Sequence, residues 1–423
     1  MHVVILGNGI AGVTTARHLR KRSASVRITL VSGESDHHWS RPALMYIYMG
    51  HMRYADTRPY PDDFWERSRI ERVRGWVESV DVAGRCLVFR DGSRLAYDRL
   101  VLATGSVPNR WGWPGEDLDR VQGMISLQDL LSLQRITPTL RHAVVVGGGL
   151  IGIELAEMLH SRRVPVSLLV RGAGYWDDVL PPQEATMVGR AIERSGIDLR
   201  LETELAEIHD DGSGGVGGIT TRDGTHIGCQ FVGLTAGVRP NLAALGGSGI
   251  ETARGVVVDD RLQTSVPDIY AVGDCAEIRQ PDGSTLLQQV WYTGRAQGEV
   301  AAANLLGEDR PYVPGIWFNS AKFLEIEYQT HGTVPPRPDG HHQHLYWEHP
   351  GGRRAMRLVH RDGTFVGINV MGMRVRHRVC EAWIGGQATI GHVIDHLRDA
   401  AFDPELGTDL VPELQRAFRR SPE

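Results

Sequence analysis

The chain reads as an α/β protein with two parallel-sheet units and a C-terminal α+β region, and three observations carry that reading. An apolar strand runs into a glycine-rich turn and then a helical pattern at Val3 and again at Val144. Each strand–turn–helix unit is followed by alternating residues that end in a short small-residue motif, Ala103-Thr104-Gly105 and Thr235-Ala236-Gly237. After Gly315, the alternation in HLYWEH and RRAMRLVHRDGTFVGINVMG predicts strands, and VCEAWIGGQATIGHVIDHL predicts a helix.

In the first unit, VVILGNGIAGVTTARHL, Gly7, Gly9 and Gly12 sit at G-x-G-x-x-G spacing with Ile10 and Ala11 between the last two. In such a Rossmann-like unit the first glycine allows the tight turn, the second lets backbone approach a pyrophosphate, and the third lets helix and strand pack closely. The helix N-terminus then faces the phosphates. Glu34, near the end of the second strand VRITLVSGES, is placed to accept hydrogen bonds from ribose hydroxyls. The second unit, HAVVVGGGLIGIELAEML, repeats the spacing with Gly147, Gly149 and Gly152 around Leu150 and Ile151. Glu154 follows inside that helix, where it either faces the ligand or serves the helix dipole. Between the units, Asp91-Gly92 marks a hairpin turn, as Asp362-Gly363 does near the C-terminus. LQTSVPDIYAVGDCAEI brings Gly273 and Asp274 to the carboxyl end of a strand, where parallel sheets bind ligands.

Composition removes several classes. The 423 residues are 41% hydrophobic and 23% charged, ordinary for a soluble globular protein of two or three domains. A formal net charge of -5 without a basic, aromatic-interleaved run argues against nucleic acid. MHVVILGNG enters a strand directly, so no signal peptide is expected and a cytoplasmic location is, and no apolar run approaches a membrane span. Cys86, Cys229, Cys275 and Cys380 are far apart, which leaves neither a zinc knuckle nor a local dithiol. His341, His342, His344 and His349 cluster without acidic or cysteine co-ligands and read as a surface hairpin, so no metal is expected; His37 and His38 read as solvated.

The order of these motifs resembles the two-dinucleotide-binding flavoproteins of the glutathione reductase superfamily over nearly the whole chain. That resemblance implies that the first unit holds FAD and the second NAD(P)H. It implies boundaries of 1–112 and 244–311 for the FAD-binding domain, 113–243 for the NAD(P)H-binding domain and 312–423 for an interface domain. Asp274 would then meet the ribityl chain and flavin phosphate, and Val77 would give backbone contacts to adenine. The segment SGESDHHWSRPALMYIYMG is similar to that of ferredoxin, rubredoxin and nitrite reductase flavoproteins, with Arg41 and Pro42 in the matching places and Arg41 against the pyrophosphate. Those relatives carry a lysine shortly afterwards that pairs with the helix glutamate matching Glu154; here the position is Tyr46. In GIWFNSAKFLEIEYQTHG, Trp317 is a candidate flavin-side or core tryptophan, while Ala321 and Lys322 replace an acid and an amide of the family pattern. QQVWYTGRAQGEVAAANLLG places Val290 and Trp291 near the flavin pyrimidine edge.

The family's NADH-preferring members end the second strand of the nicotinamide unit with an acid, whereas here Val170 and Arg171 stand there. Arg171 matches the strand-end arginine of NADPH-dependent glutathione reductases, and Ala236 and Gly237 would complete the site. Asp177 and Asp178 follow where a second basic residue is usual, so NADPH is expected ahead of NADH with both open. The expected activity is hydride transfer from NAD(P)H to FAD and then electron transfer to a ferredoxin- or rubredoxin-like carrier. Two alternatives stand beside it. One is a quinone or small-molecule reductase, for which Leu410, Val411, Leu414 and Phe418 could form a membrane-facing helix side. The other is a slow redox sensor. Monomer and homodimer are both open.

Overall fold

The computed structural model describes residues 1–402 and 408–420. In chain order the elements that build the sites are β1 (His2–Leu6), α1 (Ile10–Arg22), β2 (Arg27–Ser32), β3 (Ile70–Arg74), β4 (Arg99–Leu102), α2 (Leu127–Ile136), β5 (Ala143–Val146), α3 (Leu150–Ser161), β6 (Val166–Leu169), α4 (Pro182–Ser195), β7 (Asp198–Arg200), β8 (Phe231–Leu234), β9 (Ile269–Ala271), α5 (Trp291–Asn304), β10 (Phe318–Phe323), β11 (Ile326–Gly332), β12 (Gln343–Glu348), β13 (Ala355–Arg361), β14 (Thr364–Met371) and α6 (Val411–Arg420). The chain forms two compact units. The first comprises Met1–Asn109, Met124–Ile136 and Gly237–Pro314, and the second Arg110–Gly123, Thr137–Ala236 and Gly315–Glu423.

The first unit is organised by a parallel sheet in the order β9-β4-β1-β2-β3. Its inner strands read as nearly unbroken runs, VVIL and ITLV, because both faces are covered; the buried Thr29 in the second donates its hydroxyl to Glu71 at 3.0 Å. Helices α1 and α5 pack closely on one another because Gly298 presents no side chain; a Cβ there would lie 2.6 Å from the Ala11 carbonyl oxygen.

The second unit contains a parallel sheet, β7-β6-β5-β8 extended by Val121–Gln122, and an antiparallel sheet, β10-β11-β14-β13-β12. Asp362 and Gly363 form the two-residue turn between β13 and β14 with φ of 51° and 75°, the left-handed pair that such a hairpin requires. The segment expected to be one helix, VCEAWIGGQATIGHVIDHL, is instead two, His377–Gly385 and Ile390–Asp395. Gly386 ends the first, Gln387 turns left-handed at φ 52°, and Thr389 caps the second by accepting from His392 N at 3.2 Å. Leu410, Val411, Leu414 and Phe418 are buried in one core with Leu345, Trp347 and Leu358, so the helix side considered for membrane contact is used within its own unit. No helix among the described residues is long and apolar enough to cross a membrane.

Candidate functional sites

The first glycine turn closes between β1 and α1. Gly7 has φ 119°, and a Cβ on it would strike the Ala103 carbonyl oxygen, while one on Gly12 would strike Gly7 O. Ala103-Thr104-Gly105 is therefore the floor of the turn. Thr104 Oγ1 donates to Asn241 O at 2.8 Å, and Gly105, at φ 70°, accepts from Asn241 N at 2.9 Å. Gly9, the residue capping α1, has open space where its Cβ would be, and Ile10 and Ala11 follow as the first helical residues. This leaves an approach for an anion to the unpaired N–H groups of the helix start.

Glu34 lies two residues beyond β2 and is mostly buried. Its carboxylate is bound bidentately by Arg41, with an Nη2–Oε2 distance of 2.5 Å, and its Oε1 accepts from Leu127 N, the first residue of α2, at 2.9 Å. Arg41 also donates to Ile125 O, and Pro42 follows it in a single turn of 3-10 helix. The two residues that sequence reasoning assigned to ribose and pyrophosphate are thus brought together, with the start of α2 as a third partner that no motif signalled. Val77 opens the strand Val77–Asp81 and is half-buried. His38 is not solvated as expected: it is buried, with Nδ1 2.8 Å from Asn8 O, and burial lowers its pKa. His37 is half-buried, 3.1 Å from Asp62. Asn8, inside the fingerprint, donates to Ser35 O at 2.7 Å and to His37 O at 3.2 Å, and so ties the turn to the Glu34 loop.

Beside the start of α1, where a Cβ on it would lie 2.9 Å from Ala11 Cβ, Gly273, at φ 76°, donates its N–H to Gln297 Oε1 at 2.7 Å, and Asp274 accepts from Ser106 at 2.9 Å. Ser106 and Gln297 were not singled out from sequence; the first lies one residue past the Ala-Thr-Gly motif and could have been. Burial raises the Asp274 carboxyl pKa, with Ser106 and Arg41 acting in the opposite sense. A carboxylate of that kind has room for further donors, as polyol hydroxyls supply. Val290 caps α5, and Trp291 and Tyr292 stand partly exposed at its start, rings 5.4 Å apart. The open glycine turn, the underused Asp274 and the bare start of α5 fit the pyrophosphate, ribityl chain and ring of FAD.

The second glycine turn repeats the first. Gly147 has φ 126°, a Cβ on Gly152 would meet Gly147 O, and Gly149 again has open space beside the start of α3, where Leu150 and Ile151 are the first helical residues. Tyr175 Oη donates to Gly149 O at 2.6 Å and fixes the turn from the loop after β6. Arg171 is exposed at that strand's end with no ion-pair partner among the described residues, whereas Asp177 is folded back, accepting from Gly174 N at 3.2 Å. Ala236 O accepts from Trp111 Nε1 at 3.3 Å, and Gly237, at φ 86°, belongs to the first unit.

Glu154 lies half-buried on α3, and burial together with neighbouring Glu157 raises its pKa to about 7. The cation expected after Pro42 is absent, Tyr46 standing there, yet Glu154 is not without one: Lys322, on β10, lies 2.7 Å from Glu157 Oε1 and lowers the Glu154 pKa against those two effects. Trp317 belongs to this second unit and is 39% exposed, so it is not a core tryptophan.

All four cysteines are buried and unpaired, and burial pushes the thiols of Cys229 and Cys380 up to about 12. Among the described residues no group of three or more His, Cys, Asp or Glu side chains could hold a metal ion. The backbone N–H groups of His341 and His342 donate to Asp339, each at 3.0 Å, and His344 lies 3.2 Å from Arg357.

The two glycine cradles define a dinucleotide-dependent oxidoreductase, and the comparison with known families agrees. The chain belongs to the pyridine nucleotide-disulphide oxidoreductase family, which matches over residues 1–298. It is 32% identical over 321 residues, 75% of this chain and 77% of the relative, to the ferredoxin–NAD(+) reductase component of the p-cumate 2,3-dioxygenase system of Pseudomonas putida. It is 29% identical over 314 residues, 74% of this chain and 81% of the relative, to a rubredoxin-NAD(+) reductase of Pseudomonas putida. Among solved structures it resembles the ferredoxin reductase for the CYP199A2 system from Rhodopseudomonas palustris, with a TM-score of 0.81 and 26% identity over 99% of each chain. The protein is a flavoprotein oxidoreductase that uses a nicotinamide nucleotide.

Proposed function

We propose that the chain carries electrons from NADPH through FAD to a small ferredoxin- or rubredoxin-like protein. The observation that carries this reading is the pairing of two open glycine cradles with four buried, separated cysteines: nothing in the chain can relay electrons as a dithiol, so they leave from the flavin itself. The relatives, named as NAD(+) reductases of ferredoxin and rubredoxin, support the carrier, while the NADPH assignment rests on Arg171 alone. FAD, when bound, accepts a hydride and releases electrons singly.

The chain's own residues bind and orient. Gly9 and the start of α1 receive the pyrophosphate, with Arg41 exchanging its Glu34 partner for phosphate oxygens and Glu34 turning to the ribose. Val77 backbone lines the adenine, Asp274 accepts from the ribityl chain, and Val290 and Trp291 border the ring. In the second unit Gly149 and the start of α3 receive the nicotinamide nucleotide's pyrophosphate, Glu154 orders the nicotinamide, and Arg171 reads the 2'-phosphate. Support for NADPH is the exposed guanidinium of Arg171, without an ion-pair partner among the described residues, at a strand end that bears no acid. A quinone acceptor is less well supported, since the apolar side of α6 is buried.

The test is anaerobic bleaching of the flavin by NADPH and by NADH, followed by turnover with a ferredoxin and a rubredoxin. NADPH should lead by about tenfold, the worth of a charge-assisted contact of about 1.4 kcal/mol, and Arg171→Glu should reverse the order. NADH leading in the parent protein refutes the nucleotide assignment. Bleaching without carrier turnover refutes the acceptor, and no bleaching by either nucleotide points to the slow sensor.

A further inference from the structure

On α3, Glu154 and Glu157 are three residues apart and therefore share a helix face. Strand β10 packs on that helix and delivers Lys322 Nζ to 2.7 Å from Glu157 Oε1, while Glu157 Oε2 is buried with no hydrogen-bond partner. The other strands against α3 bring no charge: β5 is AVVV, β6 is VSLL and β8 is FVGL. The loop after β6 contributes Tyr175, whose hydroxyl proton is committed to Gly149 O. Glu327 on β11 also acts on Lys322's side of the cluster, but Arg374 holds it in a bidentate ion pair at 2.5 Å. The face thus carries two carboxyl groups and one ammonium, and a single cation cannot neutralise both.

We propose that Lys322 is a positioning residue: by neutralising Glu157 it sets the protonation state of Glu154, and thereby the pH range in which the nicotinamide nucleotide reduces the flavin. This rests on the reading that Glu154 orders the nicotinamide. Glu157 and burial favour the neutral Glu154 carboxyl and Lys322 opposes them, which leaves it titrating at about 7. Removing the ammonium and removing the second carboxylate must therefore act in opposite directions, which no loss of packing reproduces.

The experiment follows the side-chain carboxyl of Glu154 by carbon-13 NMR in glutamate-labelled holoprotein, assigned by its loss in Glu154→Gln. In parallel, the rate of anaerobic flavin bleaching is measured across neutral pH. Lys322→Met should move the Glu154 midpoint up by about one pH unit and Glu157→Gln down by about as much, with the rate profiles following. Lys322→Arg, which keeps the charge and guards against a folding artefact, should stay within a few tenths of the parent. Shifts in the same direction, or no shift in either variant, overturn the proposal. If both NMR shifts occur but Glu154→Gln keeps the parent rate profile, Glu154 does not serve the nicotinamide and the reading beneath the proposal falls with it.

Discussion

Replacing Arg357 by Met should strongly destabilise the second unit. Arg357 on β13 donates to both oxygens of Glu184 on α4, each at 2.7 Å, and to Gln183 at 2.7 Å, and it lies 4.7 Å from the Tyr346 ring. Both partners are almost wholly buried, the side chains 5% and 1% exposed. Losing one leaves an uncompensated buried charge, which costs about 3 to 5 kcal/mol. For a unit of this size that lowers its calorimetric transition by about 10 °C, taking about 2 to 4 °C per kcal/mol. The double variant Arg357→Met/Glu184→Leu, which removes both charges, should recover most of the loss, because burying the pair has already cost its desolvation. A single variant melting within about 2 °C of the parent, or a double variant no better than the single one, refutes the reasoning.

Other consequences are as direct. Gly298→Val forces a side chain against Ala11 O and parts α1 from α5, so it should cost about 1 to 3 kcal/mol and lower the flavin content of the purified protein, read from the ratio of flavin to protein absorbance. His331 is buried with its Nε2 unpartnered, and burial and His377 lower its pKa from 6.5 to about 4. Its folded form resists protonation, so the unfolded chain binds the proton first. Stability is complete above 6.5 and falls by about 1.4 kcal/mol per pH unit as pH drops toward 4. His331→Asn should flatten that acid limb in urea denaturation, and an unchanged slope contradicts the assignment. Iodoacetamide should leave flavin bleaching by the native protein unchanged while labelling all four cysteines after unfolding, because every thiol is buried. Inactivation that tracks one modified thiol in the native state would contradict this.

What the sequence by itself determined is local: both fingerprints, both Asp-Gly hairpins and the continuous apolar strands follow from backbone conformations and burial patterns a few residues long. Even there, one helix became two at Gly386-Gln387, where a single left-handed residue outweighs helical periodicity. Only the tertiary structure decided the pairs that no spacing encodes. Lys322 meets Glu157 across 165 residues and Arg357 meets Glu184 across 173, while Leu127 N closes on Glu34 across 93. His38 looked solvated for the same reason: its burial depends on Asn8, which another strand's turn delivers. A charge's partner is set by which elements the sheets bring side by side, and that choice is made by the packing of the whole core rather than by any residue's neighbours in the chain.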